Sequence, residues 1–229
     1  MLNLVLVEAA LETVPDSITN HPSVRKDAER RRKDPREVLL DRSLHHGAMK
    51  NLANAQRRGR PDIVHFCLLE ALGSPLNREE KLRVWVHTVG GLAIDVASDA
   101  RLPRDCNRFK SLMEQLFAQG QVPPGVEKAL LSVNRSSLAG LMDRIKPSVT
   151  IALTSHGRPT VLEEACRRMG VRENAAFFIG AYPSGAMSAE TLSLADEAVS
   201  IYPEALEAWV VTSRLIYEFE RATGLMRRL

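Results

Sequence analysis

The sequence has little cysteine, few aromatic residues, no long apolar run and none of the short motifs that hold a metal or a nucleotide phosphate. Its three cysteines, Cys67, Cys106 and Cys166, are widely separated and odd in number. That excludes a disulfide framework and points to a reducing, cytoplasmic compartment. Without a Cys-x-x-Cys or a close Cys/His pair there is no zinc-ligand spacing, and no metal is expected. The longest apolar run, Leu4 to Leu11, is broken by Glu8 and is too short to cross a bilayer. It has no basic segment ahead of it, so it does not read as a signal peptide, and no membrane partner is expected. G-x-G-x-x-G and Gly-Lys-Thr loops are missing, as are internal repeats and low-complexity tracts.

What is present is the composition of a soluble protein. A chain of 229 residues, 45% hydrophobic and 26% charged, can bury a full core as one domain or two. A net charge of +3 and a pI near 8.9 permit a polyanionic partner without requiring one. The densest charge, His21 to Arg36, holds seven Lys/Arg against three Asp/Glu. Such a run reads equally as a solvated helix or as a nucleic-acid contact.

Leu2 to Val7 reads as a buried, central strand. Asp34-Pro35 opens a helix with Val38, Leu39, Leu44, Met49 and Leu52 partly on one side. His45 and His46 within it point about 100° apart, which makes them local hydrogen-bonding groups rather than a metal pair. Arg57, Arg58 and Arg60 cluster around Gly59. Asp62 has two readings: it caps the helix Ile63 to Leu72, the commoner use of Asp there, or it holds the Arg60 guanidinium in a fixed orientation. After a break at Gly73-Ser74-Pro75, Val84 to His87 and Leu92 to Val96 form a hairpin around Gly90-Gly91.

Pro103 marks the start of a helix in which Phe109, Leu112, Met113, Leu116 and Phe117 recur at the helical period. Arg104, Arg108, Ser111 and Gln115 make a polar stripe on its other side. Arg101 precedes it, so three arginines converge near a helix N-terminus, where the macrodipole favours an anion. The plainer alternative pairs these arginines with Asp99 and Asp105 on a solvated face. Val122 to Leu131, which contains Pro123-Pro124, reads as a short helix, and Leu138 to Ile145 as a further element.

The strand Val149 to Leu153 ends in the polar, Gly-containing Thr154 to Pro159, the kind of strand end at which open α/β sheets bind ligands. A helix Thr160 to Met169 stops at Gly170. Next come the strand Ala175 to Ile179, a loop whose Gly180 and Gly185 let backbone approach a ligand, a short helix and the strand Ala198 to Ile201. The last helix, Ala205 to Thr223, carries Leu206, Trp209, Val210, Ser213, Ile216 and Tyr217 on one stripe. That stripe packs on its own sheet or, with a Trp and a Tyr, on a second subunit. The alternation predicts an α/β fold with a parallel or mixed sheet covered on both faces. One domain spans 1–229, with 77–147 as an extension or insertion containing the hairpin.

Five motifs follow one another along the chain: RRGRPD at Arg57 to Asp62, ALGSPLNRE at Ala71 to Glu79, RLPRDCNRF at Arg101 to Phe109, IGAYPSG at Ile179 to Gly185 and VSIYPEAL at Val199 to Leu206. Together they resemble the pseudouridine N1-specific methyltransferases of small-subunit ribosome biogenesis, in the SPOUT superfamily, in the compact form of the archaeal members. The resemblance implies an α/β knot, in which the chain near its C-terminus threads a loop to make a deep trefoil. It also implies S-adenosylmethionine as methyl donor, a homodimer, small-subunit rRNA as substrate, and ribosomal proteins or assembly factors as further partners.

By the same resemblance, Leu153, Thr154, Gly180 and Gly185 line the cofactor pocket with Ser200, Ile201, Tyr202, Pro203, Ala205 and Leu206. Arg60, Arg101, Arg104 and Arg108 contact RNA, and Asp62 braces Arg60. One departure is visible: Ile201-Tyr202-Pro203-Glu204 stands where relatives commonly carry an Asn-Tyr-Pro-Leu type segment. Methyl transfer from a sulfonium asks mainly for positioning, and arginines stabilise charge developing on the base. Arg60 and Asp62 are thus positioning candidates, and no residue stands out as a general base. The same scaffold also suits a non-catalytic RNA-binding assembly factor, or methylation of another nucleotide.

Overall fold

A computed structural model of the chain describes residues 1–170 and 174–225. In the first strand, β1 (Leu2–Ala9), Leu2, Leu4 and Leu6 point to one face and Val5 and Val7 to the other, all fully buried. A strand apolar on both faces belongs inside a sheet covered on both sides. The helices α1 (Pro22–Arg31), α2 (Arg42–His45), α3 (Pro61–Gly73) and α4 (Pro75–Arg78) follow, then the hairpin β2 (Leu82–Thr88) and β3 (Leu92–Val96). Next come α5 (Cys106–Gln119), β4 (Gln121–Val122), β5 (Leu131–Arg135) and α6 (Leu138–Ile145). The last part alternates: β6 (Val149–Pro159), α7 (Leu162–Gly170), β7 (Ala175–Gly180), α8 (Ala189–Leu192), β8 (Glu197–Ser200) and α9 (Ala208–Ala222).

The strands make one eight-stranded sheet in the order β4-β5-β3-β2-β1-β7-β6-β8. β2, β1, β7, β6 and β8 run parallel, and the sheet continues antiparallel through β3, β5 and β4. Val64 and Leu68 of α3, Phe109 and Met113 of α5, Ala165 of α7, and Leu215 and Phe219 of α9 cover the Leu2–Leu4–Leu6 face. Leu138 and Leu141 of α6 cover the other, with Leu192 of α8 partly buried beside them. Phe177 and Phe178 of β7 are fully buried on opposite faces, each worth about 1.5–3 kcal/mol of apolar burial. Asn3, polar in an apolar strand, is satisfied: it donates to Asn174 Oδ1 at 2.7 Å and accepts from Trp85 Nε1 at 3.2 Å.

Three sequence expectations need correction. Residues 34–52 do not form one helix: Asp34 caps only a short turn over Pro35–Glu37, accepting from the Arg36 amide at 2.8 Å. Val38, Leu39 and Leu40 then run extended, all three buried, with backbone bonds between Val14 and Val38 and between Leu40 and Glu12. Three consecutive buried residues need a segment covered all round, which tertiary contacts supply. Val122 to Leu131 is likewise no helix. Pro123 and Pro124 remove two backbone donors and disfavour helical geometry at the residues before them, and the chain instead joins β4 to β5.

The last helix begins at Ala208 rather than Ala205. It buries Ala208, Thr212, Leu215, Ile216 and Phe219, leaving Ser213 and Tyr217 exposed. Only Ile216 belongs to both the expected and the observed stripe, because α3 and α7 both pack on this helix and the faces they cover are set by its rotation. Among the described residues no helix is long and apolar enough to cross a membrane.

Candidate functional site

Because β6, β7 and β8 are parallel, their C-terminal ends meet at one edge, where open α/β sheets place their ligand crevice. A cavity of about 210 Å³ lies there. Leu153 and Thr154 of β6, Gly180 of β7, Gly185 of the following loop, and Ser200, Ile201, Tyr202, Ala205 and Leu206 all line it. Pro203, expected with them, is exposed and does not. Glu204 of the VSIYPEAL motif and Tyr182 of IGAYPSG also line it, and the wall is completed by residues outside the motifs, including Ile63 of α3, Met187 and Glu207. Among the described residues no lysine or arginine lines the cavity, whereas two glutamates do. That donor set suits an apolar ring system and a cationic group and does not suit a phosphate.

Two glycines leave room for close approach around the cavity. A Cβ on Gly180 would lie 2.7 Å from the Tyr182 ring, which would have to shift to admit it. A Cβ on Gly157 would lie 2.5 Å from the backbone N and C of Val199. There β6 bulges: Leu153 and Arg158 both pair with Val199 of β8, which brings the two strands unusually close. The Ser200 hydroxyl donates to the Tyr202 carbonyl at 2.7 Å and folds the turn that forms the next part of the wall.

The arginine-rich segment before α3 is resolved pair by pair. Arg58 donates to Glu12 from Nε at 2.7 Å and from Nη2 at 2.5 Å. Arg60 donates to Asp62 from Nε at 2.8 Å and from Nη2 at 2.7 Å, a two-point fork that fixes the guanidinium plane. Asp62 is therefore occupied by Arg60 and does not cap α3, whose N-cap is Arg60 itself with no side-chain cap bond. These bonds hold the Arg60 pKa above its ordinary value against partial burial, with the charges of Asp62, Glu207 and Asp41 adding to the effect.

Helix α5 begins beside this pair. Buried His65 of α3 donates from Nε2 to the Pro103 carbonyl at 2.7 Å and stacks on Phe109 at 4.3 Å, which locks the start of α5 to α3. Asp105 caps α5 by accepting the Arg108 amide at 2.9 Å, and Asp99 pairs with Lys128. Neither neutralises the arginines: the exposed side chains of Arg101, Arg104 and Arg108 make no ion pair among the described residues. The His21–Arg36 run is different. Arg30 pairs with Asp27, Arg36 with Asp16, and Arg31 and Lys33 both reach buried Glu114 of α5. Much of that run is a structural tether.

Residues 4–220 match the family described as EMG1/NEP1 methyltransferase. The chain belongs to the EMG1/NEP1 methyltransferase family. It is 44% identical to the "Ribosomal RNA small subunit methyltransferase Nep1" of Staphylothermus marinus over 98% of this chain and 97% of that one. Against the protein of the same name from Thermococcus kodakarensis it is 42% identical, over 98% of this chain and 100% of the other. A crystal structure of Archaeoglobus fulgidus Nep1 bound to S-adenosylhomocysteine superposes with a TM-score of 0.85 at 39% identity, covering 96% of this chain and 98% of that one.

Within this family member, the residues that sequence reading missed are those whose importance depends on distant partners. The Glu207 side chain lines the cavity, makes no hydrogen bond or ion pair among the described residues and does not cap α9, while its charge acts on Arg60 ahead of α3. Its only sequence signal was its place just after the VSIYPEAL motif. Glu8 and Arg57, 49 residues apart, form an ion pair that no local pattern announces. Burial pushes the Cys67 and Cys166 thiols up to about 12, which leaves them unreactive at neutral pH.

Proposed function

We propose that this protein is an S-adenosylmethionine-dependent methyltransferase that methylates N1 of a pseudouridine in small-subunit rRNA. The observation that carries the reading is one cavity without cations at the ends of β6, β7 and β8, reached on one side by Ile63 of the helix that also carries the Arg60–Asp62 fork. The relatives' names and the S-adenosylhomocysteine held by the Archaeoglobus fulgidus protein support it. When bound, the cofactor supplies an electrophilic methyl group on a sulfonium. The glycine-lined walls admit the adenosine, and Glu204 and Glu207 favour its cationic groups.

Arg60, held in one orientation by Asp62, stabilises negative charge developing on the base. Arg101, Arg104 and Arg108, free of acidic partners, take flanking phosphates of an RNA loop. The N1 proton must leave, and Glu207, whose carboxylate has no hydrogen bond or ion pair among the described residues, is freer to accept it than Asp62, which Arg60 occupies. Mass spectrometry of a pseudouridine-containing RNA oligomer incubated with protein and cofactor will show one added methyl group, and the uridine counterpart none. RNA binding without methyl transfer would leave the assembly-factor role instead.

The same reading extends to assembly. Phe66 is 43% exposed and stands edge-on to Trp209 at 5.3 Å, an aromatic pair that suits a homodimer interface, and Tyr217 of α9 is 51% exposed. Sedimentation at micromolar concentration will give a dimer, and Phe66→Glu a monomer. The double pairing of β6 with Val199 supports a chain threaded there as a knot. The strands of 77–147 extend the common sheet, which supports a single functional domain, working in the cytoplasm.

A further inference from the structure

In sequence Arg57 belongs to one basic cluster with Arg58 and Arg60. In the folded chain it faces elsewhere. The geometry points to Arg57 as a positioning residue for the methyl-donor site: it fastens the loop 182–188, one wall of the cavity, to the turn that leads into Arg60. This rests on the reading of that cavity as the cofactor site.

The loop cannot hold itself. Among the described residues, no backbone group from Tyr182 to Met187 bonds to another backbone group, yet Tyr182, Pro183, Ser184, Gly185 and Met187 all line the cavity. Side chains supply the attachment. Arg57 donates from Nη1 to the Ala186 carbonyl and from Nη2 to Glu8 Oε2, and its Cζ lies 3.8 Å from the centre of the Tyr182 ring. The other Glu8 oxygen accepts the Ser188 amide at 2.9 Å, and Ser184 donates to the Gln56 carbonyl at 3.1 Å. One guanidinium thereby ties the middle of the loop, its aromatic residue and, through Glu8, its far end.

The backbone is adapted to this contact on both sides. Glu8 has φ 51°, a left-handed conformation unfavourable for a residue with a Cβ. It falls where β1 slips register against β2 between Leu6 and Ala9, and it turns the carboxylate toward Arg57. Gly185 has φ 92°, and a Cβ there would come within 3.2 Å of Arg57 Nη1. An arginine that served RNA phosphates would be solvated and unpaired, as Arg104 and Arg108 are. Arg57 is instead 21% exposed, paired at both terminal nitrogens and covered by an aromatic face. Holding the loop closed before the ligand arrives removes an ordering cost from binding.

The test compares wild type with Arg57→Ala, Arg57→Lys and Glu8→Gln. S-adenosylhomocysteine affinity is measured by calorimetry, methyl transfer by steady-state kinetics, and binding of an RNA oligomer by anisotropy at several salt concentrations. Arg57→Ala will weaken S-adenosylhomocysteine about 10- to 100-fold and raise the KM for the methyl donor more than it lowers kcat. RNA affinity and its salt slope will stay as in wild type. Arg57→Lys, which keeps the charge over Tyr182 but cannot make both hydrogen bonds, will fall between the two, as will Glu8→Gln; these two variants decide if Arg57→Ala fails to fold. Unchanged cofactor affinity in the folded variants would overturn the proposal, and so would a reduced RNA salt slope. A wild-type protein that does not bind S-adenosylhomocysteine would instead refute the cofactor reading itself.

Discussion

Replacing Gly157 by alanine tests the packing that brings β6 and β8 together at the cavity. The added Cβ would sit 2.5 Å from Val199 N and C and 2.6 Å from its Cα. All three are backbone atoms, so no side-chain rotation relieves the collision. Ordinary contact needs roughly another ångström, and that displacement strains the Leu153 and Arg158 pairings with Val199 and the 2.9 Å bond from the Thr160 amide to the Ser200 carbonyl. Overpacking of a core costs typically about 1–3 kcal/mol, and a backbone collision belongs at the upper end. A loss of about 3 kcal/mol lowers the Tm of a chain this size by roughly 6–12 °C. Val199 leads into Ser200 and Ile201 of the cavity wall, so cofactor affinity falls too.

The assay is thermal unfolding by circular dichroism, with S-adenosylhomocysteine titration by calorimetry below the transition. Gly73→Ala is the control, because nothing lies within 4 Å of its Cβ position and it ends a helix. That change should be neutral or slightly stabilising, since Gly costs about 0.5–1 kcal/mol relative to Ala in a helix. A Gly157→Ala protein with wild-type Tm and cofactor affinity would refute the claim that close approach of these strands builds the site.

Three further outcomes follow from other parts of the molecule. Arg104→Ala and Arg108→Ala should each weaken RNA binding and reduce the salt slope by about one, measured by anisotropy titrations; an unchanged slope in both would make them solvated surface. Glu114→Ala leaves Arg31, Lys33 and the Leu39 amide without their buried partner. It should cost about 3–5 kcal/mol in urea unfolding, and a loss under 1 kcal/mol would show that the tether is dispensable. At Asp41, burial alone would raise the carboxylate pKa, but hydrogen bonds from Lys110 and Ser43 override it and hold the group below the ordinary 3.8. A depressed folded pKa means that Asp41 contributes its full stability above the unfolded value and loses it as pH falls through the folded one. The stability gap between wild type and Asp41→Asn should therefore narrow below about pH 4; a constant gap into strong acid would refute the coupling.

Local pattern determined much of this protein. The all-apolar β1, the hairpin at Gly90-Gly91 and the alternation after Val149 specify a mostly parallel sheet covered on both faces, because periodicity and turn chemistry act over a few residues. Motif order likewise marked most of the cavity wall, since Gly180, Gly185 and, apart from Pro203, Ser200 to Leu206 lie within or beside strand ends. Tertiary structure decided the rest. The rotation of α9 came from helices packed on both its sides, and the extended path of Val38 to Leu40 from partners at Glu12, Val14 and Glu114. The separate fates of neighbouring arginines depended on which carboxylate lay opposite each. Glu8 takes Arg57, Glu12 takes Arg58 and Asp62 takes Arg60, while Arg104 and Arg108 keep none among the described residues. A basic residue's role is fixed by the charge that faces it across the fold, and that pairing is not written in the spacing of its own segment.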